Sequence, residues 1–266
     1  MELACPGYTA VNVGSKFEQP EDIHEYFTLH AAPNTSIHRQ RSCQDDTTAP
    51  MVLKRLHQSF ILAEVTVSAD FAMNYDQAGL VIFAGSLPDS VMPRTTHIRR
   101  SSRFSRVVGV DLPTCKWAKA GLEFTGGNLM AASVAATSNC GADWSSSATL
   151  PRPSSSFDPY NLTSQSLRVK FERVDDALWI WYQIPNLPSL NPDYDPASDE
   201  DYRRTPEDVG SGWKKMREVS GFFGGWEQKG NVWVGCYASR PTDFEPSNAW
   251  EELDALVAEF EDLDIL

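Results

Sequence analysis

The stretch Cys115–Gly127, CKWAKAGLEFTGG, decides how this chain is read. Trp117, Lys119, Gly121 and Glu123 alternate with Ala118, Ala120, Leu122 and Phe124. In an extended strand successive side chains point to opposite faces. The stretch therefore carries a charged, aromatic set on one side and an apolar set on the other. Gly126 and Gly127 with Asn128 close it with residues that accept positive φ, the mark of a tight hairpin turn. NLMAASVAAT (128–137) is then the returning strand.

The same rhythm extends in both directions. YDQAGLVIF (75–83) sets Asp76, Ala78, Leu80 and Ile82 against Tyr75, Gln77, Gly79, Val81 and Phe83. SFILAEVTVSADF (59–71) alternates with a slip near Ala63, which predicts a bulge there. SLRVKFERV (166–174) and ALWIWYQI (177–184) form a hairpin about Asp175 and Asp176, and NVWVGCYAS (231–239) is a further strand. Many short strands with turn punctuation, and almost no long helical pattern, predict an all-β two-sheet antiparallel sandwich or jelly roll. The C-terminal SNAWEELDALVAEFEDLDIL is ambiguous. Its helix formers favour a helix, whereas Leu256, Ala258, Phe260, Leu263 and Ile265 fit a strand with one slip.

Bulk properties bound the function classes. The 266 residues, 41% hydrophobic and 11% aromatic, can bury one sizeable core, and a single domain over 1–266 is expected. A net charge of −13 argues against nucleic acid or an anionic membrane as partner. No apolar run is long enough to span a bilayer, and the N-terminal residues lack the basic and apolar regions of a signal peptide. Cys5, Cys43, Cys115, Cys140 and Cys236 are few, odd in number and scattered. Free thiols and a cytoplasmic location are therefore expected.

Three segments break the strand rhythm: 84–114, 145–165 and 185–212. The first collects Arg94, Arg99, Arg100, Arg103 and Arg106 in a chain that is otherwise acidic. These arginines either pair with acidic neighbours as a solvated loop or form a cover over a cleft, with Arg99 and Arg103 meeting oxygen atoms of a ligand.

Five stretches together, YDQAGLVIF, KWAKAGLEFTGG, SVAATSNCGADWSS, LRVKFERVDDALWIWYQ and VWVGCYASRP, resemble one family. They are similar to the YesU-like proteins of the concanavalin A-like lectin/glucanase superfamily. The matching motifs are Tyr75 to Gly79, Trp117 to Glu123, Thr137, and Asp143 to Ser145. The resemblance implies a concanavalin A-like jelly roll with a concave face, and it makes 256–265 a strand. It also implies that 84–114 and 185–212 are insertions at the rim of that face. It says far more about fold than about activity.

The chemistry is narrowed by what is missing. A retaining glucanase needs two carboxylates about 5 Å apart, yet positions 119, 121 and 125 beside Glu123 carry no acid. The five histidines are scattered, so no metal or other cofactor is expected. What remains is one strand face. Lys119, Gln77 and Glu123 are the candidate catalytic or hydrogen-bonding groups. Trp117, Trp144, Asp143, Val81, Trp181, Arg99 and Arg103 are the candidate ligand contacts. Trp offers flat apolar surface with one hydrogen-bond handle, which suits sugars or polycyclic metabolites. The plainer readings are that the tryptophans are core and that Lys119 with Glu123 is an ion pair holding strand register. Three functions fit: a cofactor-free cyclase acting on an oxygenated hydrophobic intermediate of secondary metabolism, a lectin-like binding module, or a protein-interaction module. The expected partner is a small molecule, and the sequence is compatible with a homo-oligomer.

Overall fold

The computed structural model describes residues 5, 7–15, 17–18, 20–40, 45–85, 87, 115–137, 141–150, 166–185, 212–224, 232–242 and 255–266. These residues form β1 (Tyr8–Val11), β2 (Tyr26–Ala31), β3 (Ile37–Arg39), β4 (Asp45–Thr47), β5 (Met51–Leu56), β6 (Leu62–Ala69), β7 (Gln77–Gly85) and β8 (Cys115–Thr125). They continue with β9 (Asn128–Ala136), β10 (Asp143–Thr149), β11 (Ser166–Val174), β12 (Ala177–Gln183), β13 (Lys214–Val219), β14 (Val232–Ser239) and β15 (Leu256–Ile265). A seven-stranded sheet runs β1-β5-β14-β7-β8-β9-β10, and a six-stranded sheet runs β13-β12-β11-β6-β15-β2. All of their strand pairs are antiparallel. Only β3 and β4 stand apart, as a two-stranded hairpin.

The core between the sheets follows from alternation. Ala78, Leu80 and Ile82 of β7, Ala118, Ala120 and Leu122 of β8, and Val234 and Cys236 of β14 meet Val65, Val67, Val169, Phe171, Ile180 and Phe260 from the other sheet. This is the two-sheet jelly-roll sandwich that the sequence predicts. The last strand settles the C-terminal ambiguity. Leu256, Ala258, Phe260, Leu263 and Ile265 are buried, so the apolar stripe has the strand period rather than the helical one. The register shifts between Glu261 and Asp264, where Asp262 takes φ 55°. The bulge expected near Ala63 thus sits on the facing strand β15, whereas β6 alternates without interruption.

Both expected hairpins are present. Gly126 and Gly127 turn at φ 57° and 75°, and Asp175 turns at φ 55°. One expectation is corrected: the segment 145–165 begins inside a strand, because β10 covers Asp143–Thr149. Its DWSSSAT sequence has no apolar alternation, since β10 is the last strand of its sheet and pairs only with β9.

The face of the seven-stranded sheet turned away from this core holds a second apolar cluster. Ile37, Met51, Leu53, Val81, Phe83, Cys115, Trp117 and Tyr237 belong to it. Ile37 comes from the β3–β4 hairpin, which therefore covers one end of the face.

Candidate functional site

Register places the polar residues of this outer face in rows across the strands. Ser239, Gln77, Glu123 and Met130 form one row. Tyr237, Gly79, Gly121 and Ala132 form the next, and Gly235, Val81, Lys119, Val134 and Trp144 the one after. Phe83, Trp117 and Ala136 follow.

Four side chains from three strands are joined by hydrogen bonds. Lys119 Nζ donates to Gln77 Oε1 at 2.6 Å, and Gln77 Nε2 donates to Glu123 Oε2 at 2.8 Å. Trp144 Nε1 donates to the same carboxylate oxygen at 2.9 Å. Lys119 Nζ also stands 5.3 Å from the centre of the Tyr237 ring, within the range where a cation is attracted to an aromatic face. Lys119, Glu123 and Gln77 are 4%, 4% and 8% exposed.

Gly121 lies two residues from Lys119 and two from Glu123, and its partner Gly79 lies two from Gln77. The glycine row is thus the floor that these side chains span. No larger residue is tolerated there. A Cβ on Gly121 would lie 1.9 Å from the Ala78 carbonyl oxygen and 2.7 Å from the Gly79 Cα, and a Cβ on Gly79 would lie 2.1 Å from the Ala120 oxygen. The two backbones approach each other where side chains would otherwise hold them apart.

Burial lowers the pKa of Lys119 to about 8, against the opposing pull of the Glu123 charge. Its amine therefore gives up its proton at a lower pH than a solvated lysine does. Burial likewise raises the Tyr237 phenol, with the Glu123 charge adding to it. Glu123 receives hydrogen bonds from an amide and an indole, not from a second carboxyl group.

A second charged group occupies the same face under the β3–β4 hairpin. Arg39 is 1% exposed, and its Nε and Nη2 donate to Asp45 Oδ1 and Oδ2, both at 2.8 Å. The same guanidinium donates to the Cys115 carbonyl at 2.8 Å and to the Ala136 carbonyl at 3.2 Å. Trp117 Nε1 donates to Asp45 Oδ1 at 2.9 Å. Burial first, and then the Asp45 charge, push the Cys115 thiol up to about 12. This is a fixed clamp from the hairpin onto β8. Just before β7, Arg240 Nε and Nη2 donate to Asp76 at 2.9 and 2.8 Å, and Asp76 Oδ2 also accepts the amides of Ala72 and Met73.

The candidate residues therefore divide. Gln77, Lys119, Glu123 and Trp144 come together, with Val81 beside Lys119 in register. Trp117 shares their face but is fully buried and bonded to Asp45, so it is not a wall of an open cleft. Asp143 is corrected: it pairs with Ala135, whose side chain faces the core, and its exposed carboxylate lies 3.7 Å from Arg217 of the other sheet. Trp181 is corrected too. β12 belongs to the six-stranded sheet, and Trp181 lies on its outer face beside Trp179 and Lys170. Arg99 and Arg103 lie outside the described residues. The sequence reading missed Arg39 and Asp45, which sit on short strands without periodic signal, and it left Ser239 out. Ser239 follows Tyr237 at strand spacing, but its neighbour Gln77 is set by pairing that a single sequence does not display.

Among the described residues no group of three or more His, Cys, Asp or Glu is arranged to hold a metal ion. No helix there is long and apolar enough to cross a membrane.

Comparisons with known proteins agree with the fold. An uncharacterized protein of Emericella nidulans is 27% identical over 237 residues, which is 89% of this chain and 88% of that protein. The crystal structure of a functionally unknown protein from Saccharomyces cerevisiae superposes with a TM-score of 0.55 at 16% identity, covering 98% of this chain and 96% of the other. A GH43 protein of Bacillus licheniformis gives a TM-score of 0.47 at 12% identity, over 90% of this chain and 32% of that one. The two-sheet antiparallel jelly roll implied by the motifs from Tyr75 to Ser145 is the fold of this chain. Residues 16–265 match the family described as protein of unknown function DUF1349, and the chain belongs to that family.

Proposed function

We propose that the outer face of the seven-stranded sheet binds a small, oxygenated, partly apolar organic molecule. Lys119 polarises its carbonyl, Gln77 and Glu123 hold Lys119 in place, and Trp144 forms one wall. In such a site the bound molecule is folded for cyclisation without a cofactor, because shape, stacking and a positioned donor suffice for that class of reaction. The observation that carries this reading is the run Tyr237–Lys119–Gln77–Glu123, buried throughout and ending on the half-exposed Trp144. A charged amine costs several kcal/mol to take out of water, and here it is bound to a neutral amide rather than to a counter-ion. Packing alone gives no reason to keep it.

A lectin-like module is the second reading, favoured by Trp144. Half of its surface is exposed while its N–H edge is held by Glu123, which is how an indole offers its face to a sugar ring.

Titration of intrinsic Trp fluorescence separates the readings. Hydrophobic aromatic ketones in one series and neutral oligosaccharides in another serve as ligands. A saturable response to the ketones, weakened at least about tenfold by Lys119→Met, is expected for the carbonyl site. A response to the oligosaccharides alone selects the lectin. Silence in both series in wild type and variant removes the site and leaves a protein-interaction module.

A further inference from the structure

We propose that Ser239 donates a hydrogen bond to the same ligand and, with Lys119, forms an oxyanion hole, so that the ligand presents an oxygen that carries or gains negative charge, as an enolate or phenolate does. The inference rests on the ligand site read above and names its substrate class.

Ser239 is fully buried, and its Oγ has no hydrogen-bond partner. Buried hydroxyls are almost always satisfied, because leaving one without a partner forfeits its hydration for nothing. Three other buried polar atoms share that condition among the described residues: Tyr8 Oη, Ser133 Oγ and Trp181 Nε1. Tyr8 belongs to the core between the sheets, Ser133 pairs with core-facing Ala120, and Trp181 lies on the other sheet. Ser239 alone stands beside the polar run. It pairs in register with Gln77. Ala238 before it packs into the core and Tyr237 belongs to the outer cluster. Alternation therefore turns Ser239 to the outer face.

Donor accounting gives the ligand chemistry. Gln77 Oε1 is taken by Lys119, and Gln77 Nε2 gives one hydrogen to Glu123. Glu123 Oε2 already accepts from both Gln77 and Trp144. Lys119, as an ammonium, has three N–H bonds. One goes to Gln77, and the cation rests over the Tyr237 ring. Tyr237 and Ser239 are two residues apart on one face of β14, about 7 Å along the strand. The two groups with donors left over, Lys119 and Ser239, thus stand on either side of Gln77, one bonded to its amide and the other paired with it in register. What they lack is an acceptor. An oxygen that becomes negative gains most from two such donors in a site shielded from water. The chain is tied down just beyond β14 by Arg240 on Asp76, which anchors the backbone that carries Ser239.

The test uses 4-nitrophenol, whose phenolate absorbs visible light, with 4-nitroanisole as a probe of similar shape that cannot ionise. Each is titrated into wild type, Ser239→Ala and Lys119→Met, and absorbance follows the ionisation of the bound phenol. In wild type the bound phenol ionises at a lower pH than the free one. Ser239→Ala weakens phenolate binding about tenfold and leaves 4-nitroanisole binding and Tm unchanged; Lys119→Met abolishes the preference for phenolate. Unchanged phenolate binding in Ser239→Ala, with a loss in Lys119→Met, overturns the oxyanion hole and leaves the ligand site standing. The same holds if wild type binds both probes equally while still responding to the ketones or oligosaccharides. If both variants match wild type on every probe, the inference and the site fall together.

Discussion

Two indole–carboxylate hydrogen bonds lie on one face of one sheet, and both measure 2.9 Å: Trp117 to Asp45 and Trp144 to Glu123. Trp117 is 0% exposed and Trp144 is 50% exposed. The difference in their surroundings separates structure from function. Asp45 balances a guanidinium whose remaining donors end on the backbone carbonyls of Cys115 and Ala136. In that cluster the charge is matched, and every guanidinium nitrogen donates to a protein oxygen. Glu123 instead connects through a neutral amide to an amine that keeps donors in reserve, and that amide pairs in register with Ser239, whose hydroxyl has no partner. Burial of charge is therefore a poor guide by itself. The completeness of the hydrogen bonding tells a clamp from a site.

The comparison breaks most visibly at Asp45. Asp45→Ala leaves Arg39 charged and buried and orphans the Trp117 N–H. Removing one partner of a buried pair costs about 3–5 kcal/mol. Urea denaturation is expected to show that loss, with ligand response retained in whatever fraction stays folded. A loss below about 1 kcal/mol would mean that the hairpin is not held by this pair.

Lys119→Met is expected to behave in the opposite way. It removes a buried charge and leaves only the Gln77 carbonyl without its donor, so at neutral pH stability holds or rises while binding is lost. The pH dependence sharpens this. Lys119 has its pKa lowered by burial to about 8 from the ordinary 10.5. Below pH 8 the amine is protonated in both folded and unfolded chains, and the full cost of burying the charge is present. Between about 8 and 10.5 the unfolded chain holds more protons than the folded one, so stability from this group rises with pH, by at most about 1.4 kcal/mol per pH unit. Burial raises the phenol of Tyr237, which acts oppositely at the alkaline end. The quantity to measure is therefore wild type minus Lys119→Met across pH 7–10. A flat difference would show that Lys119 is not buried as a cation.

The sequence displayed the fold wherever a strand buries one face. Alternation in 75–83, 115–125, 166–174 and 231–239 marks strands of both sheets, because each packs a row of apolar residues between the layers. β10 escaped, since an edge strand of Ser and Thr has no buried row to display. The site was half legible. Lys119 and Glu123 lie on one strand, so spacing alone puts them on one face. Adding Gln77 and Trp144 needed family motifs, and Ser239 needed the pairing of β14 with β7. Trp181 shows the limit. Its strand has the same alternation as the others, and nothing local says to which of the two sheets it belongs.

The smallest effect is expected at Trp144, and it is the most direct test of the opening contrast. Trp144→Phe removes a single N–H donor from Glu123, which keeps Gln77. The ring stands on an edge strand in contact with water, so water replaces the lost donor. The cost should be no more than about 0.5–1.5 kcal/mol. Trp117→Phe removes a bond of equal length in a place no water reaches, and it also leaves a cavity beside Asp45. Its cost should exceed that of Trp144→Phe by at least about 1 kcal/mol. Ligand response should follow the reverse order, weakening in Trp144→Phe and persisting in Trp117→Phe. Equal costs in thermal unfolding, or binding lost only with Trp117, would assign the two indoles the opposite roles.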